Sequence, residues 1–304
     1  MKRMTPKTTH SLFNRLKNQP IEVILFFCAS FSIVILFLMV AFVAKEGALA
    51  FSKFGNDLLF GQLWDTNSNR YGGFPLLYAS LMVTSGSLLI SIPLGICTAI
   101  FIAEILPFSL RDPIKSIIEL LASIPSVIYG FIGVIFVAPV VSSIFGLVSG
   151  EIALTASVIL SIMTIPTIVG LSTEIISSVP KEYKEASLAL GATKWQTIKG
   201  VVLPLSKSGI LASVMLGLGR AVGETVAVLM VAGNVAKIPT PPWNYLASVY
   251  TIPSAIAMQM GEAAVGSLEY SALFGLGLML FIITFIINTL ADVIVKKGSI
   301  KRGA

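Results

Sequence analysis

The chain has 304 residues, 55% of them hydrophobic and only 12% charged, with a mean hydropathy of +0.91. Soluble domains carry about 25% charged residues, so this composition excludes a soluble enzyme, a disordered tail and a free nucleic-acid binder. The net charge of +6 fits a membrane protein whose basic residues gather on cytoplasmic loops.

Cys28 and Cys97 both lie in apolar stretches, and the single histidine, His10, sits in the polar N-terminal tail. That set argues against a zinc or haem site, so no metal and no cofactor is expected. The first apolar run, from Ile21 to Ala44, follows five basic residues, as a secretion signal would, and an Ala-x-Ala occurs at 48–50. The run is far longer than a signal core of 7–15 residues. At about 1.5 Å per residue it crosses a ~30 Å hydrocarbon layer, and it is read as an uncleaved first span.

Further runs of membrane length fall near 76–103, 114–140, 152–176, 206–235 and 268–295. Backbone polar groups in lipid must be satisfied within the segment, so each is expected to be a helix. The expectation is an all-α integral membrane protein with six transmembrane helices. Placing the N-terminus inside puts 16 basic residues on cytoplasmic segments and 4 outside, with Arg220 left in a span. Both termini are therefore expected to be cytoplasmic. The expected organisation is a basic tail (1–20), a first helix with its outer loop (21–75), a transmembrane domain (76–295) and a short basic tail (296–304).

The outer loop at 45–75 carries a turn-rich polar stretch at 64–73. The outer loop at 236–267 opens on Pro239-Thr240-Pro241-Pro242-Trp243, a rigid turn, with a short amphipathic helix expected from Ser254 to Glu262. Pro93, Pro125 and Pro166 interrupt three spans. Two of them sit in similar strings, Ile124-Pro-Ser and Ile165-Pro-Thr, where proline frees a carbonyl and the adjacent hydroxyl can re-satisfy backbone. Ser126, Tyr129, Thr167, Thr225 and Asn234 are neutral donors that could line a pathway or bond between helices.

The loop at 178–205 carries the densest pattern. Pro180 suits the first turn of a helix, Gly191 a helix end, and a second helix is expected over Thr193 to Val201, closed by Pro204. Glu185, Ala186, Gly191, Leu203 and Pro204 resemble the E-A-A-x3-G-x9-I-x-L-P signature of permeases in bacterial ABC importers, with Ser187 for the second Ala and Val201 for Ile. That resemblance implies a type I ABC importer permease fold. It also implies that Glu185, Ala186, Ser187, Gly191 and Pro204 shape a coupling helix that docks on an ATP-binding subunit.

The string from Gly217 to Asn234, with Gly-Arg220-Ala-Val-Gly-Glu224-Thr225 at its centre, resembles the PstC-type permeases of phosphate importers. So does the 124–130 string. The resemblance implies a PstA-like sister permease, two PstB-like ATP-binding subunits and a PstS-like external phosphate-binding protein. No Gly-x4-Gly-Lys-[Ser/Thr] occurs, so the chain itself is expected to be no enzyme.

Arg220 and Glu224 are deep charges, each costing about 2.5–3.5 kcal/mol on insertion scales. Glu224 is expected one turn beyond Arg220 on the same helix face. Either they pair with each other, or Arg220 offers its fork to phosphate while the Glu224 carboxylate accepts a hydrogen bond from a protonated phosphate oxygen. Gly219 and Gly223 are expected to admit a neighbouring helix. The substrate-path candidates are Arg220, Glu224, Thr225, Ser126 and Tyr129. Rival readings are a permease for another oxyanion (sulfate, molybdate or phosphonate), a secondary transporter working alone, and a membrane sensor or scaffold.

Overall fold

A computed structural model describes residues 20–66 and 68–300; the His10 tail and the last four residues lie outside them. Among the described residues six helical stretches are long and apolar enough to cross a membrane: Val23–Phe54, Phe74–Ile105, Ser126–Phe145, Ala153–Ser177, Lys194–Gly223 and Leu268–Thr289. The expected count is met. The first span runs on to Phe54 and the fifth starts at Lys194, both beyond the expected apolar runs, and two further differences fall at breaks that apolarity alone does not mark.

Helix α1 (Pro20–Phe54) is outward-facing over most of its length, and its inner side leans on α13 (Leu268–Ile300). After the one-turn α2 (Asp57–Phe60), the outer loop pairs β1 (Trp64–Asp65) with β2 (Arg70–Tyr71) antiparallel. The Trp64 and Tyr71 rings meet edge to face at 5.3 Å. The centre of the bundle is α3 (Phe74–Ile100) against α7 (Ala153–Ser177), the most extensive helix contact in the chain.

Small residues make that approach possible. A Cβ on Gly86 would lie 2.5 Å from Ser157 Oγ, whose hydroxyl donates to Ala153 O and also reaches Val83 O across the interface. Hydroxyls bonded to their own helix carbonyls stay compatible with an apolar setting. Pro93 and Pro166 both lie inside these helices, which continue past them.

Pro125 acts differently. The expected span at 114–140 is two elements: α4 (Phe108–Ser123) and α5 (Ser126–Ile132), with Ile124 and Pro125 both extended between them. The residue before proline is pushed out of the helical region, and here both residues leave it. Helix α4 buries no residue of its own and is excluded from the spans, which start at Ser126. A π turn at Gly133–Val137 leads into α6 (Ala138–Phe145), which completes the third span.

The second difference is in span five. Helix α10 (Leu203–Gly223) stops at Gly223, Glu224 is extended, and a short α11 (Val226–Val231) follows. The expected single helix over 206–235 is therefore broken at Gly-Glu-Thr. Beyond it the outer loop folds back over the bundle: Ala153 N–H donates to Ala247 O and Leu154 N–H to Tyr245 O. These bonds satisfy two of the orphan donors that every helix start leaves. The expected helix at 254–262 is α12 (Ile252–Gln259), whose first turn is fully buried and held by Ile252 N–H to Ser80 Oγ.

Candidate functional site

Arg220 lies in the last turn of α10, on its exposed side. Its guanidinium donates to Thr167 Oγ1 and to Ala122 O, each at 3.4 Å. Thr167 follows Pro166, and Ala122 lies three residues before Pro125, so one arginine joins the Ile-Pro-Thr string to the helix end just ahead of the Ile-Pro-Ser string. The break explains why Ala122 O is available: with Ile124 and Pro125 extended, no following N–H of a helix reaches it. The neighbouring carbonyl, Leu121 O, would have met the N–H that Pro125 lacks, and the Tyr129 hydroxyl donates to it at 2.7 Å. Tyr129 and Arg220 thus cap adjacent carbonyls of one helix end.

Glu224 goes elsewhere. As the extended residue after Gly223, it leaves the α10 face, and its Oε1 accepts Ala227 N–H at 3.3 Å, at the start of α11. No Arg220–Glu224 contact falls within ion-pair distance, the salt bridges among the described residues being Lys115–Glu119, Lys115–Glu174 and Lys184–Glu104. Of the two alternatives the sequence left open, the i,i+4 ion pair is the one the described residues do not make. The physical reason is the helix break between the two residues.

The two charges also border different spaces. Arg220 lines a cleft of about 870 Å³ with Thr167, Gly219, Phe285, Asn288 and Thr289. The cleft runs along α10 and α13 from Arg220 back to Ala212, two turns towards the basic end of the bundle. Glu224 borders a cavity of about 10 Å³ with Ser80, Thr84 and Thr251, room for about one water.

Of the other expected path residues, Thr225 turns its hydroxyl onto Gly223 O at 3.1 Å. Ser126, half-buried at the first position of α5, makes no side-chain hydrogen bond among the described residues. The expectation that Gly219 and Gly223 seat a helix is not met within this chain, because a Cβ at either would meet nothing within 4 Å. Gly217 has that role instead, its added Cβ falling 2.9 Å from Ile168 on α7. Asn288 and Thr289 were missed from sequence; a single asparagine in the apolar run 268–295 was the available signal.

At the basic end, α8 (Lys181–Ala189) and α9 (Lys194–Thr197) form the expected helix pair. Gly191 turns the chain between them at φ +84°, with open space around it, a left-handed conformation that favours glycine. Thr193 and Gln196 form a reciprocal capping box at the start of α9. The Ser187 hydroxyl meets Thr197 Oγ1 at 3.0 Å and ties the pair together.

Pro204 does not close α9. A π turn at Ile198–Val202 carries the helix directly into α10, with Pro204 in the first turn of α10. The chain therefore makes one continuous helical path from the helix pair to Gly223. Tyr183, Leu190 and Trp195 stand exposed, as does Glu185, while Ala186 sits on α8 beside them. The pair is anchored by a contact that sequence did not announce: Lys184 Nζ lies 2.5 Å from Glu104 Oε1, in the π turn (Phe101–Ile105) that ends span two, with both side chains largely buried. Beside it, Lys115 bridges Glu174 at 2.8 Å, joining α4 to α7, and that hydrogen bond raises the Lys115 ammonium above its ordinary pKa.

This arrangement defines a class: a multi-pass membrane transport subunit, with a cleft-lining cation within the spans and an exposed helix pair joined by one helical path. Residues 91–297 match the family described as the binding-protein-dependent transport system inner membrane component, and the chain belongs to that family. It is 37% identical over 274 residues to the phosphate transport system permease protein PstC of Mesorhizobium japonicum, covering 84% of this chain and 83% of that one. It is 34% identical over 323 residues to the protein of that name in Pasteurella multocida, covering 99% of both. A probable ABC transporter permease, YqgH of Bacillus subtilis, is 40% identical over 217 residues, 71% of this chain and 69% of that one.

Among solved structures, a bacterial alginate ABC transporter in complex with an alginate-bound periplasmic protein matches with TM-score 0.64 at 17% identity, covering 93% of this chain and 97% of that one. The inward-facing methionine transporter MetNI matches with TM-score 0.56 at 20% identity, covering 73% and 93%. These two show the fold, that of an ABC importer permease.

Proposed function

We propose that this chain is the permease subunit through which an ATP-driven importer passes inorganic phosphate into the cell, with Arg220 as a transient phosphate contact. The observation that carries the reading is the state of Arg220: a cation within the spans, beside a cleft, held among the described residues by two long bonds to neutral oxygens. A guanidinium so placed offers paired donors to phosphate oxygens, and weak holding suits a step that must release its ligand. The names of the PstC relatives support phosphate as the anion.

In this reading both termini are cytoplasmic, as the 16-to-4 partition of basic residues supports. A PstA-like sister permease completes the path, two PstB-like ATP-binding subunits hydrolyse ATP, and a PstS-like protein delivers phosphate from outside. The exposed Tyr183, Leu190 and Trp195 suit docking of an ATP-binding subunit on α8 and α9. Glu185, Ala186, Ser187, Gly191 and Pro204 shape that contact and its link to α10. Closure of the ATPases would push on α8 and α9, and the continuous helix to Gly223 would carry the movement to Arg220. Glu224, Thr225, Ser126 and Tyr129 then support the break regions around Arg220.

The test is labelled phosphate uptake at limiting supply in cells lacking this chain and then given it back, with sulfate as competitor. Restored uptake that stops on ATP depletion and ignores sulfate is expected. Restored uptake that sulfate suppresses would move the reading to another oxyanion, and uptake that survives ATP depletion would remove the ATP-driven reading.

A further inference from the structure

A second groove, of about 660 Å³, lies between the latter half of α3 and the start of α10, away from the Arg220 cleft. Ile92 and Ile96 form one wall, Leu203 and Leu211 the other, and Lys199 and Lys207 supply its cations. Both lysines are exposed, and neither has a carboxylate within 4.0 Å among the described residues. Lys115 and Lys184, on neighbouring elements, both have one.

Residues eight apart on a regular helix lie about 80° apart around its axis. The π turn at Ile198–Val202 widens one turn between them, and both lysines line the same groove. The groove opens where the chain concentrates its basic residues, the expected cytoplasmic leaflet.

An aliphatic trough with one ammonium group at its π-turn end and a second about two turns further along α10 matches an acidic phospholipid: an acyl chain along the walls, a phosphodiester reached by the two lysine side chains. An apolar protein segment in the same place would leave two cations facing it without partners, which burial penalises. We infer that this groove is an anionic-phospholipid site, with the lipid phosphate held by Lys199 and Lys207. The bound lipid braces the join between the exposed helix pair and α10, since Lys199 lies in the π turn that makes it. The inference stands apart from the phosphate reading and needs only the membrane and its orientation.

The assembled transporter is reconstituted in nanodiscs of phosphatidylcholine with a minority of phosphatidylglycerol, and the lipids it retains are counted by native mass spectrometry. The wild type should keep phosphatidylglycerol in preference to phosphatidylcholine, and K199Q/K207Q should lose that preference several-fold. K181Q/K194Q removes two exposed lysines of the same loop outside the groove and should change it little. Equal retention by K199Q/K207Q, or equal loss in both double variants, would overturn the site. So would efficient cross-linking of a Leu211→Cys variant to another subunit, which would assign the groove to a protein contact.

Discussion

Lys184 at the basic end and Arg220 within the spans are treated in opposite ways. Lys184 has a full carboxylate partner, Glu104, at 2.5 Å in a largely buried setting. Among the described residues Arg220 has only the Thr167 hydroxyl and the Ala122 carbonyl at 3.4 Å, although an acid, Glu224, stands four residues along the chain. A paired charge fixes a joint, because neither partner can be exchanged for solvent without loss. An unpaired guanidinium against neutral oxygens keeps most of its capacity for an anion. The helix break at Gly223 keeps the second state from collapsing into the first.

The comparison breaks most severely if Arg220 proves dispensable. Arg220→Ala should lower phosphate uptake by about 30- to 150-fold, the equivalent of about 2–3 kcal/mol for hydrogen bonds to a charged group. The amount of assembled complex should hardly change, because the side chain makes only two long bonds in the fold. Arg220→Lys should recover only part of the uptake, since a point charge lacks the planar fork.

Opening the other pair should act on assembly and on ATP coupling together. Glu104→Gln or Lys184→Met should cost about 1.5–3 kcal/mol of local stability, seen as ATPase subunit lost on purification and as ATP hydrolysis no longer driving uptake. The swap Glu104→Lys with Lys184→Glu should recover a good part of both. A swap that recovers nothing would mean that the pair is not what anchors the helices.

Tyr129→Phe removes the hydroxyl from Leu121 O and should cost about 1–2 kcal/mol of stability, the loss of a half-buried hydrogen bond. Its readout is earlier thermal aggregation of the purified complex, with phosphate still taken up. The smallest effect belongs to Thr193→Ala, which removes the capping box of α9 for about 1 kcal/mol and should weaken ATPase retention only slightly.

Much of this architecture was legible because lipid imposes long apolar runs. The six spans, the helix pair and the turn at Gly191 followed from apolar run length, proline placement and glycine. The two helix breaks were not legible. Pro93 and Pro166 leave their helices continuous while Pro125 does not, and all three look alike in sequence. At Gly223 the helix ends without a proline, so Glu224 was read onto the Arg220 face. Pro204 misled in the opposite sense, sitting inside a helical path that a π turn allows to continue. Glu104 gave no signal, because its partner is 80 residues away in sequence and only the packing of α8 beneath span two joins them. The likeness of the Ile-Pro-Ser and Ile-Pro-Thr strings was visible in sequence, but not that Arg220 joins Thr167 of one to Ala122 just ahead of the other.

The most direct test is a double-mutant cycle on phosphate uptake with Arg220→Gln and Glu224→Gln, the amount of assembled complex being measured for each variant. If Arg220 is free of Glu224, as the structure has it, Arg220→Gln should lose uptake by the same factor whether residue 224 is Glu or Gln. If Glu224→Gln restores uptake to the Arg220→Gln protein, the two residues form a charge pair during transport, and the account of Arg220 as an unpaired cation is contradicted.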